Sequence, residues 1–163
     1  MPVFEGGSVV ADHWEHAGDE DHLPAGQNFV VCLDRLKRDQ EGLLAREAPL
    51  GVSLTTASKA ADVAEFLPHL DLVMIEFPKF RDGRGFSLAR ELRERYGFEG
   101  EIRATGHLIA DQYALLLRCG FTNVEVPDNA KLDVWQAALA RYTLAYQPGQ
   151  TREQPLSWFR RQI

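Results

Sequence analysis

Five short strand-like runs, each followed by a segment with helical spacing, restrict the fold of this chain more than any other feature. Residues 29–33, 50–54, 70–77, 101–104 and 122–126 read as strands. The intervening residues 36–46, 59–67, 88–96 and about 109–118 read as helices, and a last helix carries Leu132, Trp135, Ala138, Leu139 and Tyr142 on one apolar face. Five strand–helix units with short connections imply right-handed crossovers and a mostly parallel sheet. The run 70–77 is apolar along most of its length, as in a strand covered on both faces. Two α/β architectures satisfy the pattern. One is an open, flavodoxin-like sandwich of about five strands with helices on both faces; the other is a partial β/α barrel. The open sandwich is the expectation.

Local punctuation supports the parsing. Thr56 or Ser58 can cap the second helix, which Pro68 stops, and Asp128 can cap the last. Gly97-Phe98 and Gly120-Phe121 repeat one device, a glycine that ends a helix and a phenylalanine that packs back on it. Lys37, Arg38, Asp39 and Glu41 on the first helix, and Arg90, Glu91, Arg93, Glu94 and Arg95 on the third, read as solvated faces.

With 163 residues, 45% of them hydrophobic and 26% charged, the chain is long enough for one domain with its own core. Residues 1–27 read as an arm or short hairpin, 28–147 as the α/β domain and 148–163 as a polar tail holding Trp158-Phe159. His13, His16 and His22 with Asp12 or Asp19 lack a recognised ligand spacing, so no metal site is expected. Cys32 and Cys119 are expected to be reduced, buried thiols of a cytoplasmic protein. A net charge of −6 argues against a general nucleic-acid surface, and no apolar stretch approaches the length of a membrane span.

The chemistry concentrates after the third strand, in Phe77-Pro78-Lys79-Phe80-Arg81-Asp82-Gly83-Arg84-Gly85-Phe86-Ser87, with Ser87 placed to cap the next helix. In a parallel sheet this loop lies at the carboxyl edge, where ligands usually sit. The loop after the fourth strand adds Thr105, Gly106 and His107, and Arg103 is open to either face. Lys79, Arg81, Asp82, Gly83, Arg84, Gly85, Ser87, Arg103, Thr105 and Gly106 are therefore the candidate ligand-binding residues. Arginine forks, glycines that admit close approach and helix amino termini together favour an anion. The alternative is structural: Asp82 pairs with Arg84 or Arg81 to stitch the loop, and Gly83 and Gly85 serve turn geometry. His107, with Asp111 one turn on, is the weak candidate for acid–base work. The Gly-Arg-Gly pattern is neither a Walker loop nor a dinucleotide fingerprint, so no cofactor is implied.

These segments resemble a bacterial family, domain of unknown function 934. The resemblance rests on residues 77–87, on Leu92-Arg93-Glu94-Arg95-Tyr96-Gly97, on Gly100-Glu101-Ile102-Arg103-Ala104-Thr105-Gly106, on Asp111-Gln112 and on Arg118-Cys119-Gly120-Phe121. The family's pattern has an acidic residue after Gly106, where this chain has His107. Its members are usually encoded beside sulfite reductase and are often described as oxidoreductases of sulfite reduction. The resemblance implies an accessory protein of assimilatory sulfite or sulfate reduction, with sulfite reductase or its electron donor as partner. A small enzyme acting on a phosphorylated or sulfated substrate is the second reading. A non-catalytic interaction module is the third, including a homodimer through Trp135, Tyr142 or the tail.

Overall fold

The computed structural model describes residues 1–140, 144–145, 149–150 and 154–155. Strands β1 (Val3–Glu5) and β2 (Ser8–Val10) form a hairpin. They are followed by β3 (Trp14–His16), β4 (Asn28–Cys32), helices α1 (Leu33–Arg38) and α2 (Gln40–Leu44), and β5 (Leu50–Thr55). Next come β6 (Leu72–Phe77), α3 (Arg84–Glu94), β7 (Glu101–Gly106), α4 (Tyr113–Arg118), β8 (Asn123–Glu125) and α5 (Leu132–Ala140). Two-residue strands β9 (Leu144–Ala145) and β10 (Gln154–Pro155) pair separately. Among the described helices none is long and apolar enough to cross a membrane.

The main sheet has eight strands in the order β2-β1-β8-β7-β6-β5-β4-β3, parallel from β3 to β8, with β1 antiparallel to both neighbours. This corrects the open sandwich of about five strands. A doubly wound sheet reverses its strand order at a switch point, and that reversal puts helices on both faces. Here β3 to β8 follow one another in sequence, so right-handed crossovers lay the helices on one side. Curling follows from the N-terminal residues. Val10 ends one edge and Trp14 begins the other, and four Cα steps span at most about 15 Å. Eight flat strands would hold those edges roughly 34 Å apart. The sheet therefore bends into a half-barrel, the partial-barrel alternative, with residues 1–27 supplying three of its strands.

Alternation along each strand then assigns two faces. Val31, Val52, Leu54, Val73, Ile75, Phe77, Ile102, Ala104 and Val124 point outward into the large core, where Leu36, Leu88, Leu92, Leu116 and Trp135 meet them from the helices. Leu72 and Met74 point inward and join Val30 under Trp14. The apolar run Leu72–Ile75 of β6 is thus explained, since both faces of the strand are buried there. So tight a curl leaves room only for side chains, and the rest of the inner face is filled by polar residues.

Three expectations about helices change. In place of the helix expected over 59–67 there are two 3₁₀ turns, Ala60–Asp62 and Leu67–His69. The first helix is broken at Asp39; Lys37, Arg38 and Glu41 are exposed as expected, but the arginines of this segment also tie down the N-terminal arm. Arg35 bonds the Gly18 and Asp21 carbonyls, Arg38 that of Asp19, and Arg46 those of Leu23, Pro24 and Gln27. Arg93 likewise turns inward, donating to the carbonyls of Gly120 at 2.9 Å and Gly100 at 2.8 Å and to that of Phe98. The glycine caps are as expected: Gly97 and Gly120 have φ of 63° and 102°. After α4, Phe121 N–H reaches the Leu116 carbonyl and Gly120 N–H that of Leu117, the paired bonds of a Schellman end.

Candidate functional site

Strands β6 and β7 are neighbours with Phe77 opposite Gly106, so the loops that follow them share one rim, at the carboxyl edge of the parallel strands. Their backbones are joined where His107 N–H donates to the Phe77 carbonyl at 2.8 Å. A single amide couples the loops further on. Gln112 Nε2 donates to the Phe80 carbonyl at 2.7 Å, while its Oε1 accepts the Ile109 N–H at 3.2 Å. Phe80 and Ile109 are held in this way although each is 44% exposed. The Arg81 guanidinium lies 5.3 Å from the Phe80 ring centroid. Lys79 and Arg81 are exposed, and among the described residues neither makes an ion pair.

Arg84 behaves differently from its two basic neighbours. Its Nη2 lies 2.7 Å from Asp82 Oδ2 and its Nε 2.9 Å from Oδ1, and its backbone N–H also donates to Oδ1. Thr56, the first residue after β5, completes the arrangement with a 2.6 Å bond to Asp82. The Arg84 guanidinium and the Thr56 hydroxyl hold the Asp82 carboxyl well below the usual carboxylate range. The structural alternative for Asp82 therefore describes the geometry: this carboxylate occupies the amino end of α3, the place assigned to a visiting anion. It also explains why α3 starts at Arg84 and why Ser87 lies within the helix instead of capping it.

The glycines separate by role. Gly106 has φ of +91°, and a Cβ there would lie 2.5 Å from the Phe77 carbonyl oxygen. Gly85 is inside α3, where a Cβ would lie 2.4 Å from the Phe77 ring. It brings the helix onto that ring instead of admitting a ligand. Gly83 has open space at its Cβ position and no positive φ. Gly85→Ala is expected to cost about 1–3 kcal/mol by overpacking and Gly83→Ala less than about 0.5 kcal/mol, a difference readable in paired denaturant melts.

A recess of about 280 Å³ opens beside this brace, lined by Thr56, Ser58, Lys59, Arg84, Ser87 and Glu91 among others. Arg84 and Ser87 reach it; the other rim candidates do not line it. His107 is exposed on the neighbouring loop, and Asp111 lies in the 3₁₀ turn Ala110–Gln112.

Arg103 and Thr105 belong to neither place. Both point to the inner face, where Arg103 is 2% exposed. Its guanidinium meets Asp12 at 2.9 Å, Glu101 at 2.8 Å and Glu125 at 3.7 Å, and also bonds Asn123. Thr105 donates to Glu125 at 2.6 Å. Burial alone would raise the Glu125 carboxyl, but His16, Thr105 and Arg103 together bring it below its ordinary value. Asp12, His16, Glu101, Asn123 and Glu125 were not candidates from sequence. A signal existed: Glu101, Arg103 and Thr105, like Asn123 and Glu125, alternate with apolar neighbours, the period-2 mark of a polar second face.

Two other expectations are corrected. Cys32 is exposed, with its Sγ 3.2 Å from an Asp19 carboxylate oxygen, while Cys119 is half-buried and burial pushes its thiol up. Trp135 is buried against Phe4 and Tyr113, so it offers no surface for a second copy. Tyr142, Trp158 and Phe159 lie outside the described residues.

No curated protein sequence matches the chain. The family described as "Bacterial protein of unknown function (DUF934)" matches residues 51–157, which include β5 to β8, both rim loops and the recess, and the chain belongs to that family.

Proposed function

We propose that this chain is an accessory protein of assimilatory sulfite reduction that binds an anionic ligand or a reductase partner through the two rim loops. The observation that carries the binding half is the exposed set Lys79, Phe80, Arg81 and Ile109, fixed by Gln112 on adjoining loops. In a chain of net charge −6, two cations that make no ion pair among the described residues, beside an ordered apolar pair, suit a negatively charged surface or ion. Because Asp82 already occupies Arg84, the charge offered to a visitor comes from Lys79 and Arg81. The pathway half rests on kinship.

Sulfite or sulfate at about ten times its dissociation constant is expected to raise the melting temperature by roughly 3–5 °C. The rise is measured against chloride at equal ionic strength. The double variant Lys79→Glu/Arg81→Glu should lose the rise and any co-purification with sulfite reductase. A wild-type chain that neither shifts with these anions nor retains the reductase removes the reading.

The recess favours a second reading, an enzyme for a phosphorylated or sulfated substrate held by Ser58, Lys59 and Ser87 beside the Arg84–Asp82 brace. Binding of a phosphate ester that is abolished by Lys59→Ala but unaffected by Lys79→Glu/Arg81→Glu would select it over the first.

A further inference from the structure

The two edges of the curled sheet, β2 and β3, are joined by residues 11–13 alone. This linker and β3 make contacts across the inner face. Asp12 pairs with Arg103 on β7 at 2.9 Å, and His16 Nε2 lies 3.9 Å from Glu125 on β8. Strand β3 itself is an edge of three residues that pairs, among the described residues, with β4 alone, and Trp14 on it packs over Val30, Leu72 and Met74. So short an edge strand has few ladder bonds, which leaves much of its docking to cross-face contacts.

The charged groups around His16 come from every element near it. Glu125 stands on β8, with Thr105 of β7 donating to it; Arg103 and Glu101 stand on β7, Asp12 lies in the linker, and the β4 residue opposite, Val30, is uncharged. Arg103 alone faces three carboxylates, a net charge of −2, which a proton on His16 reduces to −1.

We propose that residues 11–16 are a proton-dependent strap: with His16 charged, its pairing to Glu125 fastens β3 across the half-barrel, and loss of that proton loosens β3 and uncovers the Val30–Leu72–Met74 cluster. The direction of titration agrees. The Glu125 carboxylate raises His16 above 6.5 against the opposing effect of burial. A raised histidine stabilises fully below about pH 6.5 and loses that contribution as pH rises through its folded value. Glu125, whose carboxyl is depressed, contributes above its ordinary 4.5 and loses its share as pH falls through its folded value. The strap is tightest between those limits.

Amide hydrogen exchange of residues 14–17 in the full chain, corrected for intrinsic rates, tests this. Wild-type protection should fall about two- to fivefold from pH 5.5 to pH 8, the range of a part-exposed ion pair. His16→Gln should exchange at the loosened rate at both pH values, and His16→Arg should stay protected at both. Equal protection of wild type and His16→Gln at pH 5.5, or a His16→Arg chain that loosens like wild type, overturns the strap. Neither result bears on the rim, whose anion and reductase binding is measured separately.

Discussion

Arg103→Ala is expected to destabilise the chain by about 3–5 kcal/mol, the cost of removing one side of a buried ion pair. Asp12, Glu101 and Glu125 converge on this one guanidinium, and Asn123 bonds it as well. Without it, carboxylates on three separate elements face one another across a narrow interior. Burial works against the charge on Arg103, but the carboxylates of Asp12 and Glu101 outweigh it and hold its proton more firmly than usual. Arg103→Lys should recover only part of the loss, because an ammonium cannot replace a planar fork that contacts several carboxylates at once. Denaturant unfolding of both variants, and of Arg103→Met/Glu125→Leu, gives the decisive comparison. If the single truncation costs less than about 1 kcal/mol, the typical cost of an ordinary mutation, the inner network contributes little to holding the half-barrel.

Gly106→Ala is the second large effect, at about 3–4 kcal/mol. Two independent causes add at this position. A φ of +91° is open to glycine and strained for alanine, and the new Cβ would meet the Phe77 carbonyl oxygen at 2.5 Å. That oxygen cannot swing aside, because it accepts the His107 N–H at 2.8 Å. The variant should therefore melt well below wild type, and both rim loops should lose their register together. The ligand or partner binding proposed for Lys79 and Arg81 should weaken even though neither side chain has been touched. A Gly106→Ala chain with unchanged stability would mean that β6 and β7 are not held in the register described here.

How much was legible in the sequence differs between the fold and the site. The five runs read as strands from residue 29 onward are strands, since apolar residues in sequence or in alternation mark a strand buried on one or both faces. Gly97 and Gly120 end helices because few other residues accept their φ. Short strands were harder. Trp14–His16 pairs with β4 over three residues whose side chains are mostly exposed, so no hydrophobic alternation marks it. The loops after β6 and β7 are neighbours at one edge, as parallel pairing implies, whereas the contacts of Arg84 with Asp82 and Thr56 are only half legible: the Asp82 pairing is local and the Thr56 one is not. Thr56 lies 26 residues from Asp82, and no local spacing reports that pairing.

Composition and period determined that this is an α/β chain with parallel strands, where its strands after residue 28 lie and which glycines end helices, because backbone sterics and the spacing of apolar side chains act over a few residues. Strand order, the curl into a half-barrel and the partners of each charge were decided by contacts between distant segments, such as Arg103 with Asp12, 91 residues apart. The three-residue link between the sheet's edges forces the curl, and the curl turns Arg103 and Thr105 away from the rim into the interior.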